Sequence, residues 1–363
     1  MKYFENTMQP VSIEQFKNLD PLTALSSQSA HELTRFCHTR QVSRNINPFS
    51  IKELDECTLY LLKGQLRLIS ADDSAEVIVG GTDTANFAMS KRGSHFSAAK
   101  AITDIELMCI DSNLLDVMFT WDQLSGPRNK SAAIETPDWR RMPGMFAAEN
   151  LTNGIFSALP SAHIDTLLSR FDRIDVQLGQ QVIQQGDAGD YYYVIESGRC
   201  NVTRYIAGSV VHIAELKAGD AFGEEALVAD TIRNASVTMK SDGTLLRIAK
   251  KDFVELLREP LLHRVCMEQA QEKIDKGAIW IDVRFPAEYR QNKLPGAINI
   301  PVNEIRSIFN ALDRNNEYIV YCQSGRRSSA AAFLLSQYGY NACVLDGGLW
   351  TSAPASWPDA MTD

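Results

Sequence analysis

The stretch that decides the fold of the C-terminal third is EYIVYCQSGRRSSAAAFLLSQYGYNACVLDGG, Glu317 to Gly348. EYIVYC is a short apolar run of strand length, and RRSSAAAFLLSQYG has helical apolar spacing with a glycine stop at Gly339. NACVLDGG reads as another strand, and AIWIDVR, Ala278 to Arg284, as one further upstream. Strands alternating with helices predict a parallel α/β sheet, with Cys322 at the carboxyl end of a strand. Open α/β sheets place their sites there.

Cys322 opens a loop, Gln323-Ser324-Gly325-Arg326-Arg327, that runs into the predicted helix. Consecutive loop amides can form an anion nest, and the helix N-terminus adds positive potential. Arg326 and Arg327 add full charges, so the whole setting favours a thiolate. No histidine follows His263, so a cysteine–histidine hydrolase would need a partner from another domain. Activation here is expected to be electrostatic. Protein tyrosine phosphatases also cradle a cysteine with loop amides and an arginine, but they carry one more residue between the two. Four residues separate Cys322 from Arg327, and the tighter loop favours sulfur over a phosphoryl group.

IDVRFPAEY, LPGAINIP, VYCQSGRRSS and VLDGGLW, spread over Ala270 to Trp357, together resemble a single-domain rhodanese. That resemblance implies a sulfurtransferase in which Cys322 takes a sulfane sulfur, becomes a persulfide and passes the sulfur to a thiol or another acceptor. It further implies that the backbone from Gln323 to Arg327 cradles the persulfide. Arg327 would steady loop and anion, while Asp282 and Arg284 brace the loop. One departure stands out: rhodaneses usually read Gly-His-Ile-Pro-Gly where this chain has Asn292-Lys293-Leu294-Pro295-Gly296. The other cysteines, Cys37, Cys57, Cys109, Cys200, Cys266 and Cys343, sit in no glycine-rich basic loop opening a helix and read as structural.

The middle of the chain, Ile155 to Leu257, opens on a helix-like SAHIDTLLSRF and continues in short strands. RIDVQL alternates, with Ile174, Val176 and Leu178 on one face; YYYVIESGRCNVT, VVHIAEL and ASVTMK follow, separated by glycine turns. Such spacing suggests a small β-barrel or jelly roll. Its informative part is FGEEALVADTIRNASV, Phe222 to Val237. Gly223 lets backbone approach a ligand closely, and a turn entering a short helix aims unpaired N–H groups at one point. Arg233 can add a bidentate contact to an anion, and Glu224 can accept from a sugar hydroxyl. A glycine turn with a surface arginine paired to Glu225 or Asp230 accounts for the same residues, and on motif content both readings stand.

The segment is similar to the phosphate-binding cassette of cyclic nucleotide-binding domains. By that resemblance Gly223, Glu224 and Ala226 line a ribose phosphate, with Glu225 beside them, and Arg233 binds the exocyclic phosphate. Asn234 and Ala235 follow the arginine, and position 234, where the family often has Ala, Ser or Thr, bears on adenine against guanine. The ligand expected is therefore cAMP or cGMP.

The first segment reads as a worn copy of the middle. Ser-Ala-His occurs at Ser29 and Ser161, Gly64 in LLKGQLRLI answers Gly198 in VIESGRCNV, and LMCIDSNLLDVM answers LLRIAKKDFVELL. Its cassette window, TANFAMSKRGSHFSAA, lacks Phe-Gly-Glu, with Lys91, Arg92 and His95 in that region. A structural or dimerising role is expected for it, with a homodimer as the candidate assembly.

At 363 residues the chain exceeds one ordinary domain. The expected architecture is multidomain: two β-barrel or jelly-roll cyclic nucleotide-binding-like domains, the first degenerate, then an α/β rhodanese domain with a parallel sheet. The expected bounds are 1–124, a linker at 125–150, 151–262 and 263–358. A net charge of −9 and the lack of a basic helix-turn-helix after the second barrel argue against nucleic acid as a partner. No run is apolar enough to span a bilayer, no secretory leader is read, and seven cysteines without a Cys-x-x-Cys pair suit a reducing cytoplasm without bound metal. A continuous helical stretch from Asp252 to about Lys276 is expected between the two sites, with Leu256, Leu257, Leu261 and Leu262 as candidate lid residues. The functional expectation is a cytoplasmic sulfurtransferase that responds to a cyclic nucleotide and works on a small sulfur donor and a thiol or protein acceptor. The rival is a nucleotide-responsive interaction module in which the rhodanese fold binds a partner with little turnover.

Overall fold

The structure is a computed structural model and describes residues 11–16, 18–70, 74–90, 96–126, 139, 147–152, 155–206, 209–223, 232–257 and 262–352. The chain divides into two compact units, one of residues 1–123 with 261–363 and one of residues 124–260.

The first unit holds a barrel and a parallel sheet. In the barrel, one antiparallel sheet has the order His38–Val42, Ile105–Asp111, Cys57–Lys63, Met89–Ser90. The other has the order Ala75–Val79, Gln65–Ser70, Phe96–Ala101. Alternation sends Leu59, Leu61, Leu66, Leu68, Ile105 and Leu107 into a shared core. A helix, Ser112–Leu124, follows the last strand directly. The parallel sheet of the same unit has the order His263–Val265, Asn341–Leu345, Glu317–Tyr321, Ile279–Asp282, Ile298–Asn299. Its central strands are buried beyond their first residues, which is why Tyr318 to Tyr321 read as an unbroken apolar run.

The second unit is built on the same plan. One sheet runs Asp172–Val176, Gly243–Ala249, Tyr191–Ser197, Ala221–Phe222, strand for strand the order of the first barrel. The other runs Ser209–Lys217, Arg199–Ile206, Ser236–Met239, Gln181–Ile183. Both copies break register just before the hairpin glycine, at Leu61/Lys63 and at Ile195/Ser197. Gly64 and Gly198 have φ of +87° and +97°, and a Cβ there would press on the carbonyls of Asp104 and Asp242 respectively. The worn repeat in the sequence is thus a repeat of topology down to one strained turn.

Two expectations fail in detail. The stretch after Asp252 is not one helix: Lys250–Leu256 is helical, His263–Val265 is a strand, and Met267–Asp275 is helical again. His263–Val265 leaves the helical path because it pairs with Cys343–Leu345 as the edge of the parallel sheet. Of the lid candidates, Leu261 lies outside the described residues. Leu178 does not share the inward face of Ile174 and Val176, because the strand ends at Val176 and Leu178 is 67% exposed. Among the described residues no helix is long and apolar enough to cross a membrane.

Candidate functional sites

Strand Glu317–Tyr321 delivers Cys322 to a loop whose backbone folds over the sulfur. Gly325 takes a left-handed φ of +96° as the N-cap of helix Arg326–Gln337. That turn points the Gly325 amide at Sγ, donating at 3.1 Å, and the Ser328 amide donates at 3.5 Å. Ser328 Oγ lies 3.5 Å from the same sulfur and 3.1 Å from the Gly325 carbonyl. The loop is closed from the other side by the paired glycines of the last turn. Leu349 N–H donates to the Cys322 carbonyl and Trp350 N–H to the Gln323 carbonyl, each at 3.0 Å. A side chain at Gly348 would put its Cβ 2.5 Å from the Cys322 carbonyl oxygen, so only glycine fits there. Cys322 itself is fully buried.

Two buried guanidinium groups hold this loop in shape. Arg327 forms a fork with Glu288, at 2.7 and 2.9 Å, and lies over the adjoining rings of Phe119 and Phe285. Burial pushes the Glu288 carboxyl up, but the Arg327 charge and its hydrogen bonds more than reverse this, leaving it below the ordinary value. Burial works against the Arg327 charge, yet Glu288 and Asp116 raise its pKa overall. Arg284 is gripped by Asp282, at 2.7 Å from Nη2, and reaches Asn292 Oδ1 at 2.9 Å and Gln323 Oε1 at 3.3 Å. Asn292, the departure from Gly-His-Ile-Pro-Gly, therefore supplies a second acceptor for the brace, and its carbonyl a third at 2.6 Å. Among the described residues the hydrogen bonds of Arg327 go to the carboxylates of Glu288 and Asp116, so its place in the loop is that of a brace.

Burial pushes the Cys37 and Cys109 thiols up to about 12 and that of Cys200 up to about 11. Cys343 and Cys57 are also raised by burial, and Cys266 is exposed.

In the second unit, Arg233 is buried behind the turn that ends strand Ala221–Phe222. Its Nη2 donates to the Tyr191 carbonyl at 2.7 Å and to Asp190 at 3.1 Å, and Nη1 to the Gly223 carbonyl at 3.4 Å. Gly223 has a φ of +87°, and a Cβ there would lie 2.8 Å from Arg233 Nη1. Close approach of backbone to guanidinium is thus the reason for glycine at this position. Gly223, Arg233, Asn234 and Ala235 line one cavity of about 210 Å³ with apolar walls from Ile183 and Val202. Glu224, Glu225 and Ala226, together with Lys91, Arg92 and His95 of the first copy, lie outside the described residues.

The comparisons with known proteins divide the chain in the same way. Residues 267–350 match the rhodanese-like domain and residues 173–259 the cyclic nucleotide-binding domain. Thiosulfate sulfurtransferase PspE of Escherichia coli is 46% identical over 72 residues, which are 19% of this chain and 69% of that protein. The chain belongs to the rhodanese family. Ahead of the rhodanese domain it carries a cyclic nucleotide-binding module. A cAMP-dependent protein kinase regulatory subunit of Yarrowia lipolytica is 39% identical over 30% of this chain and 28% of its own length. One from Mucor circinelloides is 27% identical over 58% of this chain and 49% of its own. The chain thus spans about half or less of the kinase subunits it matches.

Three residues near the rhodanese loop escaped the sequence reading. Glu288, in FPAEY, has only its place in the first helical turn as a signal, and Asn292 stands out only as a departure from Gly-His-Ile-Pro-Gly. Asp116 lies in the first barrel's helix, Ser112–Leu124, where an isolated acid among apolar residues was the only signal. Ser324 Oγ donates to its carboxylate, Arg326 Nη1 lies 3.1 Å from it and Arg327 Nη2 3.5 Å.

Proposed function

We propose that the chain is a cyclic-nucleotide-responsive sulfurtransferase in which Cys322 is the nucleophile. The observation that carries this is the pair of amides, Gly325 and Ser328, donating to one sulfur in a loop braced by Arg284 and Arg327. The Cys322 thiolate attacks the sulfane sulfur of a donor such as thiosulfate. A new S–S bond forms, the donor's S–S bond breaks, and sulfite leaves with the electron pair. The persulfide's terminal sulfur bears the negative charge, which loop amides stabilise as they would an oxyanion. An acceptor thiolate then attacks that outer sulfur, the bond to Sγ breaks, and the Cys322 thiolate is restored. Gln323, Ser324 and Arg326 belong to the same loop, and Ser328, through its amide, joins the set.

The regulatory ligand is a cyclic nucleotide, cAMP or cGMP, held at Gly223, Arg233, Asn234 and Ala235 with Glu224, Glu225 and Ala226 completing the cassette. In this reading Arg233 exchanges its contacts with Asp190 and the Tyr191 carbonyl for the exocyclic phosphate. The test is calorimetric titration of both nucleotides into wild type and Arg233→Ala, with a thiosulfate assay on the same samples. Saturable binding lost in the variant, together with a nucleotide-dependent rate, supports the reading. Equal rates with and without saturating nucleotide overturn the regulatory half, and no turnover overturns the catalytic half. Full burial of Cys322 favours a second reading, an interaction module with little turnover. Cys322→Ser separates the two, since a module keeps its partner and an enzyme loses its rate. Free cysteines throughout fit a reducing compartment such as the cytoplasm.

A further inference from the structure

The first barrel has no assigned task, yet its terminal helix sits on the rhodanese loop. Asp116 is 3% exposed, and the side-chain partners of its carboxylate, Ser324, Arg326 and Arg327, all belong to that loop. The barrel itself does not require an acid there. Strands Ile105–Asp111 and Gly243–Ala249 correspond end to end, so Asp116 matches Val254 in the second copy, which is 39% exposed. A buried carboxylate at this point is stable only because the loop pairs it.

Beside the loop lies a chamber of about 90 Å³, room for a few waters by the usual measure. Barrel and rhodanese share its walls: Met89, Leu115 and Phe119 on one side, Gln323, Arg327 and Trp350 on the other. Phe119 meets Phe285 edge-on at 5.2 Å, and Gln291 Nε2 donates to the Ala88 carbonyl at 2.7 Å, so the wall is packed in place. The charged side chains in its walls are Arg284 and Arg327 against Glu288 and Asp116. They cancel only with Asp116 included. Arg327 Nε is buried with no hydrogen-bond partner among the described residues, a donor left beside the loop.

We propose that Asp116 is a specificity-determining residue of the sulfur-donor site. Its carboxylate occupies the hydroxyl and guanidinium groups that a doubly charged donor would use. The chamber thereby selects a small donor with an apolar body and one negative charge, of the thiosulfonate class, over thiosulfate. With such a donor the Cys322 thiolate attacks the sulfane sulfur and the S–S bond breaks. A sulfinate leaves with the electron pair, and the persulfide anion remains. This proposal rests on the sulfurtransferase reading for its substrate, while its electrostatics can be tested without turnover.

The experiment has two readouts on the full chain. The first is kcat/KM for methanethiosulfonate divided by that for thiosulfate, in wild type and in Asp116→Asn. The expected result is a preference for methanethiosulfonate that falls about tenfold in the variant through a gain with thiosulfate, roughly the worth of one charge contact. The second is native-state alkylation of Cys322 by iodoacetate against iodoacetamide, read by mass spectrometry with exposed Cys266 as internal reference. Wild-type Cys322 is expected to discriminate against the carboxylated reagent relative to Cys266, and Asp116→Asn to lose about tenfold of that discrimination. An unchanged donor ratio and an unchanged alkylation ratio in a folded variant overturn the proposal. So does a wild-type Cys322 that shows no discrimination, or that neither reagent labels; these two outcomes need no variant. No turnover with either donor, beside an alkylation ratio that moves as expected, overturns the sulfurtransferase reading and leaves the charge selectivity standing.

Discussion

The two barrels share a strand order, a hairpin glycine and a register break, and they part company at two places. After its last strand the first copy carries a helix of 13 residues, Ser112–Leu124, whose Asp116 is paired to the rhodanese loop. The second carries a helix of 7 residues, Lys250–Leu256, with a half-exposed valine at the matching position. Conversely, the second copy keeps a glycine turn wrapped on a buried arginine, whereas the first has no Phe-Gly-Glu in its cassette window. One topology thus carries two different buried charges, Arg233 behind a glycine turn that lines a cavity and Asp116 against a protein loop. In both, the deciding element is a charged side chain buried against groups of opposite sign.

The sharpest way to test that division is to disable each site and ask what is lost. Cys322→Ser is expected to remove sulfur transfer entirely, a fall of three orders of magnitude or more, about the scale seen when a nucleophile is deleted. The check is initial rate at saturating donor, with the melting temperature as control. Arg233→Ala is expected to weaken nucleotide binding about a hundredfold, since a charge-assisted contact of roughly 1.5–3 kcal/mol is lost. Calorimetry measures it. Loss of nucleotide binding in Asp116→Asn, with Arg233 intact, would break the assignment of separate tasks to the two copies.

Much of this was legible in the residue order. Alternation at Ile174 and Val176, the glycines at 64 and 198, and the apolar runs at Ile279–Asp282 and Glu317–Tyr321 each fix a strand or turn through local chemistry. The loop around Cys322 was legible because its parts are contiguous. Asp116 was not, because its partners lie more than 200 residues away and pairing across that distance leaves no local pattern. The role of Asn292 was hidden for a related reason: its value lies in what Arg284 needs, and Arg284 is itself defined by Asp282. The strand His263–Val265 was lost because its sequence has no strong period, and only the sheet edge it pairs with makes it a strand.

The shared hairpin turn allows a smaller, symmetric test. Alanine is strained at a φ near +90° in either copy, at a cost of about 1–2 kcal/mol. At Gly64 the added Cβ would also lie 2.5 Å from the Asp104 carbonyl, against 3.0 Å from that of Asp242 at Gly198. Gly64→Ala is therefore expected to destabilise its unit more than Gly198→Ala does, by about 1 kcal/mol or more. Hydrogen exchange resolved by unit would read this, and equal losses would mean the first turn relaxes as easily as the second.

The smallest effect separates the units by acid. Glu288 is fully buried, and Arg327 holds its carboxyl below the ordinary 4.5 despite burial pushing it up. A carboxyl lowered in the folded state contributes stability that is present above its unfolded value and is lost as pH falls through the folded one. Protonation there would also break the fork between Glu288 and Arg327. The unit that holds the rhodanese sheet should therefore begin to open at a higher pH than the second unit. Among the described residues of the second unit, the carboxylate lowered by a partner is Glu215, which is fully exposed on the surface and contributes little when protonated. Exchange protection of Glu317–Tyr321 and of Gly243–Ala249, followed from pH 6 down to about 3, compares the two directly. Glu288→Gln should flatten the first profile between those limits, and a profile that keeps its slope would assign the acid sensitivity to another group.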